Sequence, residues 1–160
     1  MRGEVTPVDL TALIQHCVQK LTPAAQNAQV SISASGNDPV LISGDHALLE
    51  EMLTNLLENG IKYNHAGGYV RARAEMADGR AVVTVADNGV GIAPEDQQRV
   101  FERFYRVDKS RSKQTGGTGL GLSIVKHGAQ VHHAQIAMQS ALGEGTTITL
   151  TFPAQSSGKK

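Results

Sequence analysis

The chain has 160 residues, the size of one domain, and 40% of them are hydrophobic, which is enough for a single buried core. Its 15 basic and 15 acidic residues cancel, so composition gives no case for nucleic acid or a membrane surface as a partner. No apolar run reaches the roughly 18 residues of a membrane span, and no signal-peptide pattern follows Met1. The lone cysteine, Cys17, is expected to be a buried, inert thiol in a reducing cytoplasm.

The first quarter of the chain predicts one helix and then a hairpin. Pro7 and Asp9 close an extended lead-in and favour the start of a helix, whose apolar side chains recur at helical spacing as far as Leu21. Residues 30–34 alternate as a strand does, and residues 40–43 form a second apolar run after a Gly- and Pro-containing turn. These two runs are predicted to pair with each other.

A long helix with two different faces is predicted after Asp45, a typical N-cap residue. One face is apolar and consists of Leu49, Met52, Leu53, Leu56, Leu57 and Ile61. Roughly opposite lie Asn55, Asn59 and Lys62, at spacings of i, i+4 and i+7, so two amides and an ammonium group share a stripe. The helix is expected to bury one face and to offer chemistry on the other.

The rest of the chain predicts a hairpin, a third helix and two closing strands. Strands 69–76 and 80–86 flank Asp78-Gly79, a two-residue turn typical of a hairpin, and a helix is expected after Pro94 and Glu95. A further helix follows the glycines of residues 116–121. Two strands, 135–139 and 146–152, are separated by the turn 143–145, and the tail 154–160 is expected to fray. Polar residues 106–117 predict a mobile lid.

These elements predict an α+β fold, a two-layer α/β sandwich with three helices on a mixed, mostly antiparallel sheet. Three polar or glycine-rich segments within it together indicate a nucleotide pocket. Asn59 offers an amide oxygen to a hard cation such as Mg²⁺, Lys62 neutralises phosphate charge, and Tyr63 can stack or hydrogen-bond. Asp87 places a carboxylate at a strand end, where the exocyclic amine of a base can dock. Residues 116–126 enter a helix whose first N–H groups suit anionic oxygens.

The glycine-rich segment does not fit the two commonest phosphate-binding loops. No Gly-Lys-Ser/Thr ends it, which excludes a P-loop, and a polar segment rather than a strand precedes it, which argues against a dinucleotide fold. The order of motifs instead resembles the catalytic ATP-binding domain of sensor histidine kinases, which belong with the gyrase, Hsp90 and MutL-like ATPases. The matching residues are 55–63 (NLLENGIKY) for the N box, 87–92 (DNGVGI) for the first glycine box, 101–106 (FERFYR) for the F box, 117–122 (GTGLGL) for the second glycine box and 143–146 (GEGT) for the final glycine turn.

The resemblance covers nearly the whole chain and implies a Bergerat-type fold for residues 1–153, with ATP and Mg²⁺ as cofactors. It implies that Asp87 binds the adenine amine, supported by Thr146, and that Gly91 shapes the base pocket. Asn59, with Asn55 beside it, engages Mg²⁺. Residues 104–112 and Lys126-His127 are similar to those of phosphate-regulon and cell-wall sensor kinases.

The resemblance also implies which residues attend the phosphates. Lys62, Tyr63 and Arg106 contact them, and Phe104 tethers the lid, whereas Phe101 is expected in the core. The other residues expected at the nucleotide are Gly89, Ile92, Gly117, Thr118, Gly119, Leu120, Gly121 and Leu122. Asn55, Lys62 and Arg106 form the expected catalytic set, with Arg106 stabilising charge on the γ-phosphate.

Three alternative functions remain possible for the same residues: an ATPase, a serine kinase and a nucleotide-binding module without activity. Gyrase-like ATPases have a glutamate where this chain has Asn55; an amide cannot take a proton, which favours phosphoryl transfer, although Glu51 and Glu58 keep hydrolysis open. An anti-sigma-type serine kinase shares the fold, but the long lid and the F box favour a sensor kinase. A nucleotide-binding module without activity would lack a pocket residue.

None of the six histidines fits the phosphoacceptor motif of the family, in which Glu or Asp follows the histidine and Pro comes a few residues later. All six are expected to be structural or surface residues rather than metal ligands. The acceptor is expected on dimerisation helices of the same full-length kinase, outside this sequence, with a response regulator receiver domain as an indirect partner. The parent protein is expected to be a membrane-anchored homodimer, with this domain in the cytoplasm, free of direct membrane contact, binding ATP and doing little else alone.

Overall fold

The computed structural model describes residues 5–97 and 122–154. The helices in these residues are α1 (Leu10–Ala28), α2 (His46–Lys62), α3 (Pro94–Gln97) and α4 (Leu122–Val131). The strands are β1 (Val5–Asp9), β2 (Ser31–Ser35), β3 (Leu41–Asp45), β4 (Tyr69–Ala77), β5 (Arg80–Asp87), β6 (Gln135–Ala141) and β7 (Gly145–Thr151). The predicted lid, Phe101, Phe104, Arg106, residues 117–121 and the tail from residue 155 lie outside the described residues.

Five strands form the main sheet, in the order β2-β4-β5-β7-β6. β2 pairs with β4 in parallel, and the other neighbours pair antiparallel. Helices α1, α2 and α4 pack on the sheet, against alternate strand residues such as Val70, Val83 and Leu150, which are buried. The predicted two-layer α+β sandwich with a mixed, mostly antiparallel sheet is confirmed.

The predicted pairing of runs 30–34 and 40–43 is wrong, because β2 and β3 lie in different sheets. β3 pairs antiparallel with β1 in a separate two-stranded sheet. The physical reason is at Asp9, which caps α1 and whose Oδ1 also accepts the N–H of Val40 at 3.2 Å. Leu10 N–H donates to the carbonyl of Val40 at 2.7 Å. These bonds tie the start of β3 to the lead-in instead of to β2.

The other predicted pairings are confirmed, and they set the position of α2. β4 and β5 turn at Asp78-Gly79, and β6 and β7 pair across the glycine turn. α2 begins after Asp45, whose Oδ1 accepts the N–H of Leu48 at 3.2 Å. His132, just after α4, accepts the N–H of Asp45 on Nε2 at 3.0 Å. The start of α2 is therefore tied to the end of α4.

The core lies between the helices and the sheet. Cys17, on α1, is fully buried against α2, as predicted, and burial raises the pKa of its thiol. None of the helices in residues 5–97 and 122–154 is long and apolar enough to cross a lipid bilayer.

Candidate functional site

A half-open cavity of ≈ 260 Å³ lies where the carboxyl end of α2 meets the end of β5 and the start of β7. Its floor is apolar, and a few polar side chains project into it, which is the usual character of a small-molecule site. The lining residues among those described are Leu56, Asn59, Gly60, Tyr63, Val85, Asp87, Val90, Gly91, Ile92, Leu122, Leu142, Thr146 and Ile148. The cavity therefore gathers residues from distant parts of the chain.

Asp87, at the end of the central strand β5, is the charged side chain among the described residues that line the cavity. Its Oδ1 accepts two backbone N–H groups, from Gly89 at 2.8 Å and from Thr146 at 3.3 Å. Burial raises the pKa of the carboxyl, and these two bonds counter part of that rise. Among the described residues no donor reaches Oδ2. Within the described part of the chain, the side chain is therefore held through Oδ1 alone.

Two glycines allow the chain to close around this carboxylate. Gly91 has φ +75°, and a Cβ there would overlap the carbonyl oxygen of Ala141. Gly145 has φ +108°, and a Cβ there would overlap the carbonyl oxygen of Asp87. Both positions require the left-handed region and a close backbone approach, so only glycine fits without strain. Gly91 of the first glycine box and Gly145 of the final glycine turn thus have a steric cause in the fold.

The α2 wall of the cavity is one helical stripe. Leu56, Asn59, Gly60 and Tyr63 line it, at spacings of i, i+3, i+4 and i+7. Gly60 lets α2 approach β4, since a Cβ there would lie 2.8 Å from a methyl carbon of Val70. This close approach brings Asn59 and Tyr63 over the end of β5.

The side-chain amide of Asn59 indicates which groups of a ligand the cavity can bind. Its Nδ2 is buried and has no hydrogen-bond partner among the described residues. An unpaired buried amide costs about 1–3 kcal/mol, so a ligand that pairs with it is favoured. Turning the amide over presents Oδ1 instead, an oxygen of the kind that Mg²⁺ takes. No cluster of three or more His, Cys, Asp or Glu side chains that could hold a metal is found in residues 5–97 and 122–154.

A hydrogen-bond network behind the cavity was not predicted from the sequence. Ser140 on β6 contacts three groups: its Oγ accepts the N–H of Ile92 at 2.8 Å, donates to the carbonyl of Gly145 at 3.0 Å and lies 2.8 Å from Oγ1 of Thr146. Nε2 of Gln97 donates to the carbonyls of Ile92, at 2.8 Å, and Ser140, at 3.0 Å. The loop after Asp87 is thereby fixed to the edge strand of the sheet.

The structure brings many of the expected site residues together at the cavity. Those that line it are Asn59, Tyr63, Asp87, Gly91, Ile92, Leu122 and Thr146. Gly89 holds Asp87 from behind. Asn55 is half-buried and Lys62 is exposed, and neither is among the lining residues of the described part. Phe104, Arg106 and residues 117–121 lie outside the described residues.

Several lining residues were missed, although part of the signal was present in the sequence. Val85 and Ile148 stand two positions before Asp87 and two after Thr146, and alternate strand residues share a face. Leu142 had no such signal; it is 63% exposed beside the glycine turn and reaches the cavity only through the fold.

Comparison with known proteins agrees with this arrangement. The sequence profile described as histidine kinase-, DNA gyrase B-, and HSP90-like ATPase matches residues 44–156. The sensor-like histidine kinase SenX3 of Mycolicibacterium smegmatis is 42% identical over 150 residues, which cover 94% of this chain and 39% of that protein. The phosphate regulon sensor protein PhoR of Pseudomonas aeruginosa is 40% identical over 157 residues, 96% of this chain and 35% of that protein. The chain thus spans about two fifths of the length of the curated relatives it matches.

Solved structures show the same fold. The mycobacterial sensor histidine kinase MprB is 29% identical with a TM-score of 0.78, covering 94% of this chain and 98% of that one. The ATP binding domain of PrrB from Mycobacterium tuberculosis is 25% identical with a TM-score of 0.75, covering 96% of this chain and 99% of that one.

The fold and the cavity define the class of protein: a two-layer α/β domain with a ligand cavity at the carboxyl end of its central strand. The chain belongs to the histidine kinase-, DNA gyrase B- and HSP90-like ATPase family, because that family's profile matches most of its length. Within the family it is homologous to the catalytic part of sensor histidine kinases such as SenX3 and PhoR.

Proposed function

We propose that the chain binds Mg-ATP in this cavity and donates the γ-phosphoryl group to a histidine on dimerisation helices outside residues 1–160. The observation that carries the proposal is the carboxylate of Asp87, which lines the cavity and is held by described residues through Oδ1. Oδ2 accepts the exocyclic amine of adenine, and the apolar floor covers the ring. Residues 1–153 form the ATP-binding domain.

The phosphates lie toward α2 in this proposal. Asn59, with Asn55 one turn earlier, would hold Mg²⁺, which neutralises phosphate charge when bound. Lys62 and Tyr63, at the end of the helix, attend the phosphate oxygens. By the family resemblance, Arg106 stabilises charge on the γ-phosphate.

The remaining contacts of the proposal come from the glycine segments. Residues 117–122 supply backbone N–H groups to the phosphates, and Phe104 tethers the segment between the F box and the second glycine box. In the transfer, an imidazole nitrogen of the acceptor attacks the γ-phosphorus, the bond to the β–γ bridging oxygen breaks, ADP leaves, and a base in the acceptor segment takes the proton. The full-length parent is anchored in a membrane, with this domain on the cytoplasmic side, and a response regulator takes the phosphoryl group next.

Calorimetric titration tests the binding part of the proposal. The 160-residue chain is titrated with the non-hydrolysable analogues AMPPNP and GMPPNP, with and without Mg²⁺. We expect adenine-selective binding that Mg²⁺ strengthens. Asp87→Asn should weaken AMPPNP binding about 100-fold, because a charge-assisted hydrogen bond is lost and an amide N–H₂ faces the amine. Asp78→Asn, at the exposed β4–β5 turn, is the matched control. Unchanged affinity in Asp87→Asn contradicts the adenine assignment.

Mg²⁺ dependence and phosphoryl transfer are tested separately. Asn59→Ala should remove the gain in affinity that Mg²⁺ brings, and an undiminished gain contradicts the metal role. With a separately expressed dimerisation segment and labelled ATP, label on its histidine supports the kinase. Label found only as free phosphate supports a gyrase-like ATPase instead.

A further inference from the structure

Ser140 lies behind the cavity and is not among the described residues that line it, yet its hydroxyl contacts two of them, Ile92 and Thr146. Three polar atoms surround Oγ: the nitrogen of Ile92, the carbonyl oxygen of Gly145 and Oγ1 of Thr146. Thr146 lines the cavity next to Asp87, and its own N–H donates to Oδ1 of that carboxylate. Ser140 is therefore one hydrogen bond away from Thr146, which lies beside the Asp87 carboxylate.

One arrangement of the protons makes all three contacts hydrogen bonds. The N–H of Ile92 can only donate, and the carbonyl of Gly145 can only accept, so the single proton of Ser140 goes to Gly145. Oγ of Ser140 then has no proton left for Thr146. In this arrangement Thr146 donates across the 2.8 Å contact between the two hydroxyls. The hydroxyl proton of Thr146 thus points to β6, and only its lone pairs remain for the cavity.

The polar edge formed by Asp87 and Thr146 consequently accepts hydrogen bonds and donates none. An amine on a bound ring pairs with such an edge, whereas a carbonyl oxygen at the same place is repelled by it. We propose that Ser140 is a positioning residue for base selectivity: by fixing the hydroxyl proton of Thr146, it makes the cavity prefer a purine that carries an exocyclic amine over one that carries a carbonyl oxygen there. This inference rests on the proposed function, since it assumes that a purine nucleotide occupies the cavity.

Removal of the serine hydroxyl releases that proton. In Ser140→Ala, the Thr146 hydroxyl loses its acceptor and can turn into the cavity, where it donates to the carbonyl oxygen of guanine. The N–H of Ile92 also loses its acceptor, and this second effect weakens the binding of any nucleotide. The ratio of the two affinities separates the effects, because a loosened loop lowers both affinities together.

The test measures dissociation constants for AMPPNP and GMPPNP by calorimetry on the 160-residue chain and its variants. In Ser140→Ala, the preference for AMPPNP should fall about 5-fold to 10-fold, the value of one neutral hydrogen bond. Ser140→Thr retains the hydroxyl and should retain the preference. Thr146→Val removes the hydroxyl on which Ser140 acts, so adding Ser140→Ala to it should leave the preference unchanged. Ser140→Cys, which keeps the size of the side chain with a weaker acceptor, replaces Ser140→Ala if that variant does not fold.

The outcomes distinguish this inference from the proposed function. Equal weakening of both nucleotides in Ser140→Ala, with the preference intact, overturns the role of Ser140 and leaves ATP binding standing. A further fall in preference when Ser140→Ala is added to Thr146→Val also overturns it, because Ser140 then acts by another route. If the unsubstituted chain binds both nucleotides equally, the selectivity claim fails but nucleotide binding stands. If it binds neither, the proposed function fails and the inference with it.

Discussion

Burial of the Asp87 carboxylate in the cavity lowers the stability of the unliganded domain. Its carboxylate is half-buried without a cationic partner among the described residues, and burial raises its pKa above the ordinary value of 3.8. The two N–H bonds to Oδ1 offset only part of this cost. A ligand that donates to Oδ2 relieves the remainder, so binding and stability are coupled at this residue.

Asp87→Asn should therefore stabilise the unliganded domain at neutral pH, by about 1 kcal/mol, as is common when a binding-site residue is relieved. The sign follows from the raised pKa. The folded state holds the carboxyl proton more tightly than the unfolded state, so the native side chain contributes stability below pH 3.8 and loses that contribution as pH rises through the raised pKa. Thermal unfolding of both proteins between pH 3 and pH 8 measures the difference.

The advantage of the variant should accordingly be largest above the raised pKa and vanish in acid. Asp78→Asn, at an exposed turn, provides the baseline for loss of one carboxylate. A variant that is less stable than the native chain at pH 7 would show that the Oδ1 bonds outweigh the burial cost.

For single residues, the sequence predicted those that line the cavity better than those that hold them in place. Asp87 was predicted from a carboxylate at a strand end beside two glycines, and it does line the cavity. Ser140 had no signal, because its role depends on β6 pairing with β7 so that Ser140 lies opposite Thr146. A lone serine in a strand carries no mark of its cross-strand neighbour.

The close approach of Gly60 on helix α2 to Val70 on strand β4 helps to position the α2 wall of the cavity. In Gly60→Ala the new methyl group overpacks against Val70, at a cost of about 1–3 kcal/mol, while helix propensity improves by roughly 1 kcal/mol. The domain should therefore lose up to about 2 kcal/mol of stability. The helix must move away from the sheet and take Asn59 and Tyr63 with it. Urea unfolding and AMPPNP titration measure the two effects.

A double-mutant cycle makes this prediction specific. Val70→Ala alone leaves a gap and is destabilising, but combined with Gly60→Ala it should restore part of the stability and of the nucleotide affinity. Strictly additive losses would mean that α2 does not move when Gly60 is substituted.

Helices and strands were predicted correctly where the spacing of apolar residues along the sequence determines them. Periods of 3.6 and 2 located α1, α2 and the hairpin at Asp78-Gly79, and Asp45 marked a helix start. The pairing of β3 with β1 was not readable, because it depends on Asp9 bonding to Val40 across the chain. The stripe that lines the cavity contains Leu56 and Gly60, which carry no polar signal of their own.

On the scale of the whole molecule, residues 5–43 contribute part of the buried core, although the family profile starts at residue 44. Helix α1 buries Leu10, Leu13, Ile14, Cys17, Leu21 and Ala25 against the rest of the domain. At about 1.5–3 kcal/mol for each large side chain, this burial is comparable to the whole stability of a domain. A chain of residues 44–160 should therefore fail to unfold cooperatively and should not bind AMPPNP.

Circular dichroism with thermal melting checks this expectation. Leu13→Ala in the full chain should cost about 2–5 kcal/mol and still melt cooperatively, whereas Gln15→Ala, on the exposed face of α1, should change little. A cooperative melt of the 44–160 chain would show that α1 is an appendage.

The bond between Thr146 and Asp87 joins residues 59 positions apart in the sequence. During synthesis, the amino-terminal helices and the β4–β5 hairpin emerge and pack first, since their contacts are closer along the chain. The carboxylate of Asp87 lacks its second N–H donor, that of Thr146, until β7 has left the ribosome and joined the sheet. Competence to bind ligand is consequently acquired at the end of folding, and a nascent or carboxyl-truncated chain has no finished cavity to fill.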